Sequence, residues 1–150
     1  MSRRDRRDHD RTLELAASAI DYSLTATQSA ALDAHLVRKA LKELNLKEVN
    51  LLLIENVGNI ICPADFPLGS HKRIVVLSLT EGPYVVLKHP FSFMDADVVA
   101  INKVDLAKAT GIDPSQFEKQ LYGLKPAMKV VRTNCVKGKG IAEVAQALGL

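Results

Sequence analysis

Four residues, Asn102-Lys103-Val104-Asp105, directly follow the largely apolar run Asp97–Ile101. That run predicts a buried strand, which places the four residues at the carboxyl end of a strand in an α/β sheet. An Asp105 carboxylate can accept hydrogen bonds from N1–H and the exocyclic amine of guanine, whereas adenine has no N1–H. The Asn102 amide can address the base edge and neighbouring loops, and the Lys103 stem can lie over the ring. The spacing indicates a guanine-binding loop, with capping of the next helix as the alternative role of Asp105.

A second segment has the same strand-then-turn form. The apolar run Val49–Ile54 is followed by Glu55, and Gly58 comes three residues later. A short apolar run predicts a strand buried on both faces, with Glu55 at the edge where open α/β sheets bind ligands. A carboxylate there can hold Mg²⁺ or its water shell, and Gly58 lets the backbone approach a γ-phosphate. We therefore take Glu55 and Gly58 as candidate catalytic residues, the alternative being a strand-ending Glu and a turn Gly.

Four strings of the sequence together closely resemble the nickel-incorporation GTPases of the HypB type. The strings are Ile54–Phe66, His71–Arg73, Ser78–Gly82 and Asn102–Leu106. The first contains E-N-V-G-N-x-x-C-P, which is far more specific than N-K-x-D alone. The resemblance runs from about Leu32 to the C-terminus, which is most of the chain.

The resemblance implies a cytoplasmic GTPase and metallochaperone that gates nickel delivery during maturation of [NiFe]-hydrogenases, or of urease. It implies GTP or GDP and Mg²⁺ as cofactors, and Ni²⁺ or Zn²⁺ at a metal site beside the switch region. The expected partners are a second copy or a full-length relative, other nickel-maturation factors and the hydrogenase large subunit. The expected fold is a partial P-loop NTPase-like α/β domain of the SIMIBI type, with a mostly parallel sheet flanked by helices.

The family's second base-contacting loop corresponds to Thr133-Asn134-Cys135, ahead of a Gly-x-Gly turn formed by Gly138 and Gly140. The match to the family's usual string is partial. A backbone N–H that meets the guanine O6 can survive such changes in side chain. We carry Thr133, Asn134 and Cys135 as candidate nucleotide-binding residues, and a glycine-rich strand-to-helix connection is the alternative.

The sequence departs from the family at the phosphate loop. No G-x-x-x-x-G-K-[ST] string occurs, and no glycine precedes Gly58. Such a loop supplies backbone N–H groups and a lysine for the phosphates and a hydroxyl for Mg²⁺. We therefore expect binding of GTP and Mg²⁺ to be weak or lost, and the chain to be a poor GTPase.

The second departure concerns metal binding. The family's Cys-His-Leu-Asp-Ala-His string corresponds here to Ala30–His35, in which alanines replace the adjacent Cys and His. Cys62 and His35 remain as candidate ligands, fewer than the three or four that a tight Zn²⁺ or Ni²⁺ site uses. Two Cys62 thiolates paired across a dimer would partly restore a site. The alternative for Cys62 is a small buried apolar residue before Pro63.

The N-terminal residues 1–29 diverge from the family, and we expect a solvated, flexible segment there, followed by a partial GTPase domain over residues 30–150. A truncated or frame-shifted copy is the simplest hypothesis for this arrangement. The composition, 47% hydrophobic and 25% charged with a net charge of +3, is ordinary for a soluble single domain. It points to no nucleic-acid or membrane partner, and two distant cysteines suggest no disulfide framework.

The elements that must position these residues follow from periodicity. Apolar residues at helical spacing predict a helix over Ala30–Leu44, stopped by Asn45. Two more helices are expected over Asp113–Tyr122 and Ile141–Leu148, with a short edge strand at Tyr84–Leu87. Short β-prone runs predict four strands: Leu51–Ile54, Ile74–Leu79, Asp97–Ile101 and Lys129–Arg132. Alternating strands and helices favour a doubly wound parallel sheet.

Two functions remain open at this point. The first is a GTPase-like nickel-incorporation protein with impaired hydrolysis. The second is a non-catalytic interaction subunit that pairs with a full-length relative or a maturation partner through an exposed sheet edge. In this family the strand before the phosphate loop lies mid-sheet, so its loss predicts unpaired edges and a marginal or oligomeric protein. A pseudogene product without function is a third possibility.

Overall fold

The computed structural model describes residues 34–56 and 68–150 of the chain. The chain divides into two compact units, Met1–Ser70 and His71–Leu150, and each is described by itself. The expectation of a flexible segment over residues 1–29 lies outside the described residues. No helix in the described ranges is both long and apolar enough to cross a bilayer.

The described part of the first unit begins with one amphipathic helix, α1, over Ala34–Glu43. Its interior agrees with the predicted helix, and the predicted start at Ala30 falls outside the described residues. Lys42 in the last turn suits the negative end of the helix dipole. The helix ends two residues before Asn45, where the chain enters turns closed by a bond from the N–H of Glu48 to the carbonyl of Asn45 at 3.0 Å.

The predicted strand Leu51–Ile54 is wrong. These residues have no regular structure, and Leu51, Leu52 and Leu53 are exposed, Leu53 to 76%. A β-strand forms only when a neighbouring strand pairs with it. No strand of the described residues pairs with Leu51–Ile54. Glu55 is consequently an exposed residue in irregular chain and does not project from the end of a strand.

The second unit is built on a three-stranded parallel sheet in the order β1-β2-β3. The strands are β1 (Ile74–Ser78), β2 (Val98–Asn102) and β3 (Lys129–Arg132). They match the predicted positions to within one residue at either end. The register places Ser78 opposite Asn102 and Ile101 opposite Arg132, so the three strands end along one edge.

The central strand β2 forms the core of this unit. Its residues Val98–Ile101 are all buried, as expected for a strand covered on both faces. The neighbouring strand β1, the helices and the loop after β3 supply the remaining core. Its largest fully buried side chains outside β2 are Leu77, Leu79, Val86, Phe93, Phe117, Leu121 and Thr133. The apolar residues before Asn102–Asp105 therefore form a buried strand, as the sequence predicts.

Five helices surround the sheet: α2 (Val85–Lys88), α3 (Phe91–Met94), α4 (Ala107–Thr110), α5 (Pro114–Leu124) and α6 (Ile141–Leu148). The α5 helix starts as predicted, because the Asp113 carboxylate accepts from the Ser115 N–H at 2.9 Å and Pro114 occupies the first turn. It runs one residue past Gly123. The α6 helix agrees with its prediction at both ends.

The predicted edge strand at Tyr84–Leu87 is wrong, because this segment forms a turn and the helix α2. Its backbone groups are satisfied locally: the N–H of Lys88 donates to the Tyr84 carbonyl and that of His89 to the Val85 carbonyl, both at 3.0 Å. Val85 and Val86 are buried in the turn of helix. The prolines that bracket the segment favoured an edge strand from sequence, but they equally delimit a short helix.

The start of the sheet is held by the Asp97 carboxylate, which accepts from the backbone N–H of Arg73 at 2.8 Å and from Lys72 Nζ at 3.2 Å. The Arg73 carbonyl in turn accepts from the N–H of Asp97 at 2.8 Å. The hydrogen bond from the Arg73 backbone N–H lowers the pKa of Asp97 below its ordinary value. Lys72 lowers this pKa further, and partial burial opposes the shift.

We expect Asp97→Asn to lower the free energy of unfolding by about 1 kcal/mol at neutral pH, a modest value because the carboxylate is partly exposed. Because folding lowers the pKa of Asp97, its carboxylate stabilises the protein fully above its unfolded pKa of roughly 4. This stabilisation is lost as the pH falls through the folded pKa. Urea denaturation from pH 7 to pH 3 measures it. The difference in free energy of unfolding between the native chain and Asp97→Asn should shrink on acidification. Asp95→Asn, which changes an exposed carboxylate nearby, serves as the control and should have little effect. A difference that grows towards pH 3 would contradict this account.

Candidate functional site

Two loops leave the carboxyl edge of the sheet side by side. The first, Asn102–Leu106, follows β2, and the second, Thr133–Gly140, follows β3. Because β2 and β3 are parallel neighbours, their following loops lie at the same edge, where α/β sheets bind ligands. The structure therefore brings together the two sets of residues that the sequence proposed for nucleotide binding.

The Asn102 side chain joins the two loops. Its Oδ1 accepts from the backbone N–H of Cys135 at 3.1 Å and from Thr133 Oγ1 at 3.2 Å. Since Oδ1 must face the Cys135 N–H, the orientation of the amide is fixed by this network. The two Nδ2 hydrogens donate to no acceptor in the described part of the chain, so they remain available to a ligand.

A backbone bond adds to this connection. The N–H of Val104 donates to the Thr133 carbonyl at 3.3 Å, and the N–H of Thr133 donates to the Ile101 carbonyl at 2.8 Å. Val104 is presented in this way because Lys103 adopts a left-handed conformation, with φ 62° and ψ 34°. Lys103 is the one non-glycine residue with positive φ in the described ranges, and this conformation costs about 1 kcal/mol. Local strain is thus present at the predicted base-binding loop.

Asp105 lies in a 3₁₀ helix over Val104–Leu106, and its side chain is exposed. Its carboxylate accepts no hydrogen bond from any residue of 34–56 or 68–150. Neither that 3₁₀ helix nor α4 has a side-chain cap, and the residue at the N-cap of α4 is Leu106. The capping alternative for Asp105 is therefore wrong, and the carboxylate is available to accept from a ligand.

The second loop is more closed than the sequence suggested. Thr133 is 1% exposed, and Asn134 is also buried, with its Oδ1 accepting from the Lys137 N–H at 3.2 Å. The N–H of Asn134 donates to the Lys139 carbonyl at 2.9 Å. Thr133 and Asn134 therefore shape the loop, and their side chains have no surface to offer a base. Cys135 is exposed with a free thiol.

One donor in this loop was missed at the sequence level. The backbone N–H groups of Thr133, Asn134 and Cys135 are all used within the protein, but that of Val136 has no acceptor among the residues described. Val136 lies in a 3₁₀ helix over Cys135–Lys137, and the first N–H groups of a helix lack internal partners. An apolar, 97% exposed residue carried no sequence signal for this role, because the donor belongs to the backbone.

The donor and acceptor types of these groups match those that guanine requires. The Asp105 carboxylate suits N1–H and the exocyclic amine, while the Asn102 Nδ2 hydrogens and the Val136 N–H suit the acceptors O6 and N7. Adenine presents an amine where guanine presents O6, and it lacks N1–H. The two loops therefore offer acceptors and donors in the combination that distinguishes guanine from adenine.

The second loop depends on Gly140, which has φ +84°. A Cβ at this position would lie 2.9 Å from Thr133 Cγ2 and closer still to the Arg132 carbonyl oxygen. Only glycine allows the chain to pass this close beneath the end of β3. The predicted Gly-x-Gly turn is thus confirmed, and its second glycine supports the buried Thr133.

The other predicted site residues belong to the first unit. Gly58 and Cys62 lie outside the described residues, Glu55 is exposed in irregular chain, and His35 is exposed on α1. Within 34–56 and 68–150 no group of three or more His, Cys, Asp or Glu side chains is placed to hold a metal ion. The roles of Glu55, Gly58, Cys62 and His35 therefore stay predictions.

Known proteins share both the sequence and the fold. A probable hydrogenase maturation factor HypB from Methanocaldococcus jannaschii is 50% identical over 115 residues, which cover 77% of this chain and 52% of that protein. HypB from Azotobacter vinelandii is 36% identical over 136 residues, covering 91% of this chain and 45% of that protein. The chain thus spans about half the length of the curated relatives it matches. No protein-family model matches it.

The crystal structure of HypB from Archaeoglobus fulgidus superposes with a TM-score of 0.81 at 36% identity, covering 95% of this chain and 80% of that one. The crystal structure of HypB from Helicobacter pylori in complex with nickel superposes with a TM-score of 0.72 at 31% identity. The match covers 99% of this chain and 66% of that one. The parallel sheet and its helices are thus those of a P-loop NTPase-like α/β domain, as expected. The chain belongs to the HypB family of hydrogenase maturation factors.

We expect Gly140→Ala to destabilise the protein by about 1 to 3 kcal/mol more than Gly111→Ala, because only the first adds a steric clash. Both glycines have positive φ, but a Cβ at Gly111 meets nothing within 4 Å. Gly111→Ala therefore controls for the conformational cost alone. Urea denaturation of the two variants measures the difference, and equal midpoints would contradict the assigned role of Gly140.

Proposed function

We propose that this chain is a guanine-nucleotide-binding, GTPase-like protein of nickel incorporation, acting in hydrogenase maturation. The observation that carries the proposal is the pair of loops joined through Asn102 Oδ1, which leaves the Asp105 carboxylate and the Asn102 Nδ2 hydrogens available. In this role Asn102, Asp105 and the Val136 N–H hold the base, and the Lys103 stem covers the ring. Thr133, Asn134 and Cys135 position the second loop.

The nickel part of the proposal is supported by the relatives. Those from Helicobacter are named hydrogenase/urease maturation factors, and the H. pylori structure contains nickel. The M. jannaschii relative, at 50% identity, is named for hydrogenase alone, which favours a hydrogenase client. We propose Cys62 and His35 as ligands of an incomplete site that takes nickel as cargo, with Cys62 of a second copy completing it in a cytoplasmic homodimer. The proposed further partners are other nickel-maturation factors and the hydrogenase large subunit.

Nucleotide hydrolysis by the 150-residue chain is expected to be weak. The chain contains no G-x-x-x-x-G-K-[ST] string, so it lacks the residues that hold the phosphates and Mg²⁺ in such enzymes. In this proposal Glu55 holds Mg²⁺ through water and Gly58 contacts the γ-phosphate only when a phosphate loop is also present to hold the nucleotide. Reading of the base does not depend on them, because its donors and acceptors lie in the second unit.

A second candidate function is an interaction subunit that pairs with a full-length relative. The observation in its favour is that β1 is hydrogen-bonded to β2 alone within the described sheet, and Val76 on β1 is 56% exposed. Calorimetry with GDP separates the candidates. Saturable binding by the isolated chain supports the first, whereas binding only in a mixture with a full-length relative supports the second.

We expect Asp105→Asn to weaken GDP binding about ten- to hundredfold, since hydrogen bonds to a charged group contribute about 1.5 to 3 kcal/mol. An asparagine amide can instead accept from N1–H and donate to the C2 oxygen of xanthine, so the variant should bind xanthosine diphosphate more tightly than the native chain does. Isothermal titration calorimetry with GDP, ADP and xanthosine diphosphate measures this. Asp95→Asn, another exposed carboxylate, is the matched control. Unchanged GDP affinity in Asp105→Asn would overturn the proposed base contact.

A further inference from the structure

The strand β3 ends at Arg132, and the second loop of the candidate site begins at the next residue. Both ends of this loop meet the Arg132 backbone. Thr133 is bonded to it covalently, and Gly140 lies so close to the Arg132 carbonyl oxygen that a Cβ would clash with it. A shift of Arg132 would therefore move the whole loop.

The hydrogen bonds that join this loop to Asn102 leave little tolerance for such a shift. The Cys135 N–H donates to Asn102 Oδ1 over 3.1 Å, and Thr133 Oγ1 donates to the same oxygen over 3.2 Å. Hydroxyl hydrogen bonds are usually shorter than about 3.0 Å, so the Thr133 bond is already long. Even a small displacement of the end of β3 would weaken the connection between the two loops.

The Arg132 side chain is held by Glu118, which lies on α5. Its Nε donates to Glu118 Oε1 at 2.6 Å, and its Nη2 donates to Glu118 Oε2 at 2.8 Å. Two parallel hydrogen bonds between planar groups fix direction as well as distance. The ion pair therefore couples the end of β3 to the helix α5.

We propose that Glu118 and Arg132 are positioning residues for the guanine site and act on the base only through the second loop. The ion pair holds the end of β3 where the Thr133 hydroxyl and the Cys135 N–H reach Asn102 Oδ1. The Asn102 amide is thereby held with its Nδ2 hydrogens towards the ligand. This role rests on the guanine binding proposed above, but the coupling between α5 and the loop exists without a nucleotide and can be measured separately.

The effect on affinity is limited by the strength of the ion pair. The side chains of Glu118 and Arg132 are 24% and 47% exposed, so water and salt screen their attraction. We expect Glu118→Ala to weaken GDP binding about three- to fivefold. Glu118→Gln should weaken it less, because the amide oxygen still accepts one hydrogen bond from Arg132. Calorimetry measures the affinities, and urea denaturation gives the folded fraction to which they refer.

A double-mutant cycle shows whether the two residues act through each other. Arg132→Ala should cost as much affinity as Glu118→Ala, and the protein with both changes should bind no more weakly than either. Additive losses would contradict the proposed coupling. If Arg132→Ala weakened GDP binding and Glu118→Ala did not, Arg132 would contact the nucleotide directly and the positioning role would be wrong.

The matched control is Lys72→Ala. Lys72 and Asp97 form another partly exposed ion pair, with 3.2 Å between Lys72 Nζ and Asp97 Oδ1. This pair lies at the opposite edge of the sheet, because Lys72 precedes β1 and Asp97 precedes β2. Lys72→Ala should leave the GDP affinity unchanged. A loss equal to that of Glu118→Ala would mean that affinity follows overall stability, which would overturn the positioning role.

Amide signals of the ¹⁵N-labelled, nucleotide-free chain separate this role from guanine binding. Glu118→Ala should shift the Cys135 backbone signal and the Asn102 side-chain signals, whereas Lys72→Ala should shift neither. If the signals shift but the native chain binds no GDP, the proposed function is wrong and the coupling is supported. If GDP binds but Glu118→Ala leaves these signals and the GDP affinity unchanged, the positioning role is wrong and guanine binding stands.

Discussion

The candidate site depends on one side-chain oxygen. Asn102 Oδ1 accepts from the Cys135 N–H and from Thr133 Oγ1, and so it connects the loops that follow two neighbouring strands. This connection determines which groups remain for a ligand, because it consumes the Cys135 donor and leaves Nδ2 of the amide. The left-handed conformation of Lys103 and the close approach at Gly140 are local costs of holding the loops together.

Much of the second unit was predictable from sequence because each of its elements has a local signal that tertiary contacts reinforce. β2 is a continuous apolar run, and α5 has its Asp-Pro start. The failures have one physical origin. Leu51–Ile54 and Tyr84–Leu87 are apolar segments whose strand character requires a pairing partner, and sequence periodicity does not report whether one is present. One remained irregular, and the other formed a short helix instead.

The candidate site divides in a similar way. Asn102 and Asp105 could be proposed as base-binding residues from residue type and spacing, because the sequence specifies directly which side-chain donors and acceptors are present. The closed second loop was not, since the burial of Thr133 and the free N–H of Val136 are properties of backbone geometry. Excluding a helix cap as the role of Asp105 also required the structure, because a cap and a base contact would use the same carboxylate at the same position.

The most direct test of the joined-loop site is a titration of the ¹⁵N-labelled chain with guanosine monophosphate, observed through backbone amide signals. This nucleotide carries a single phosphate, so its binding reports mainly on contacts to the base. The account predicts that the amides of Lys103, Asp105 and Val136 shift along one common saturation curve, and that adenosine monophosphate leaves all three unchanged. Shifts confined to one loop, or equal shifts with the adenine nucleotide, would contradict it.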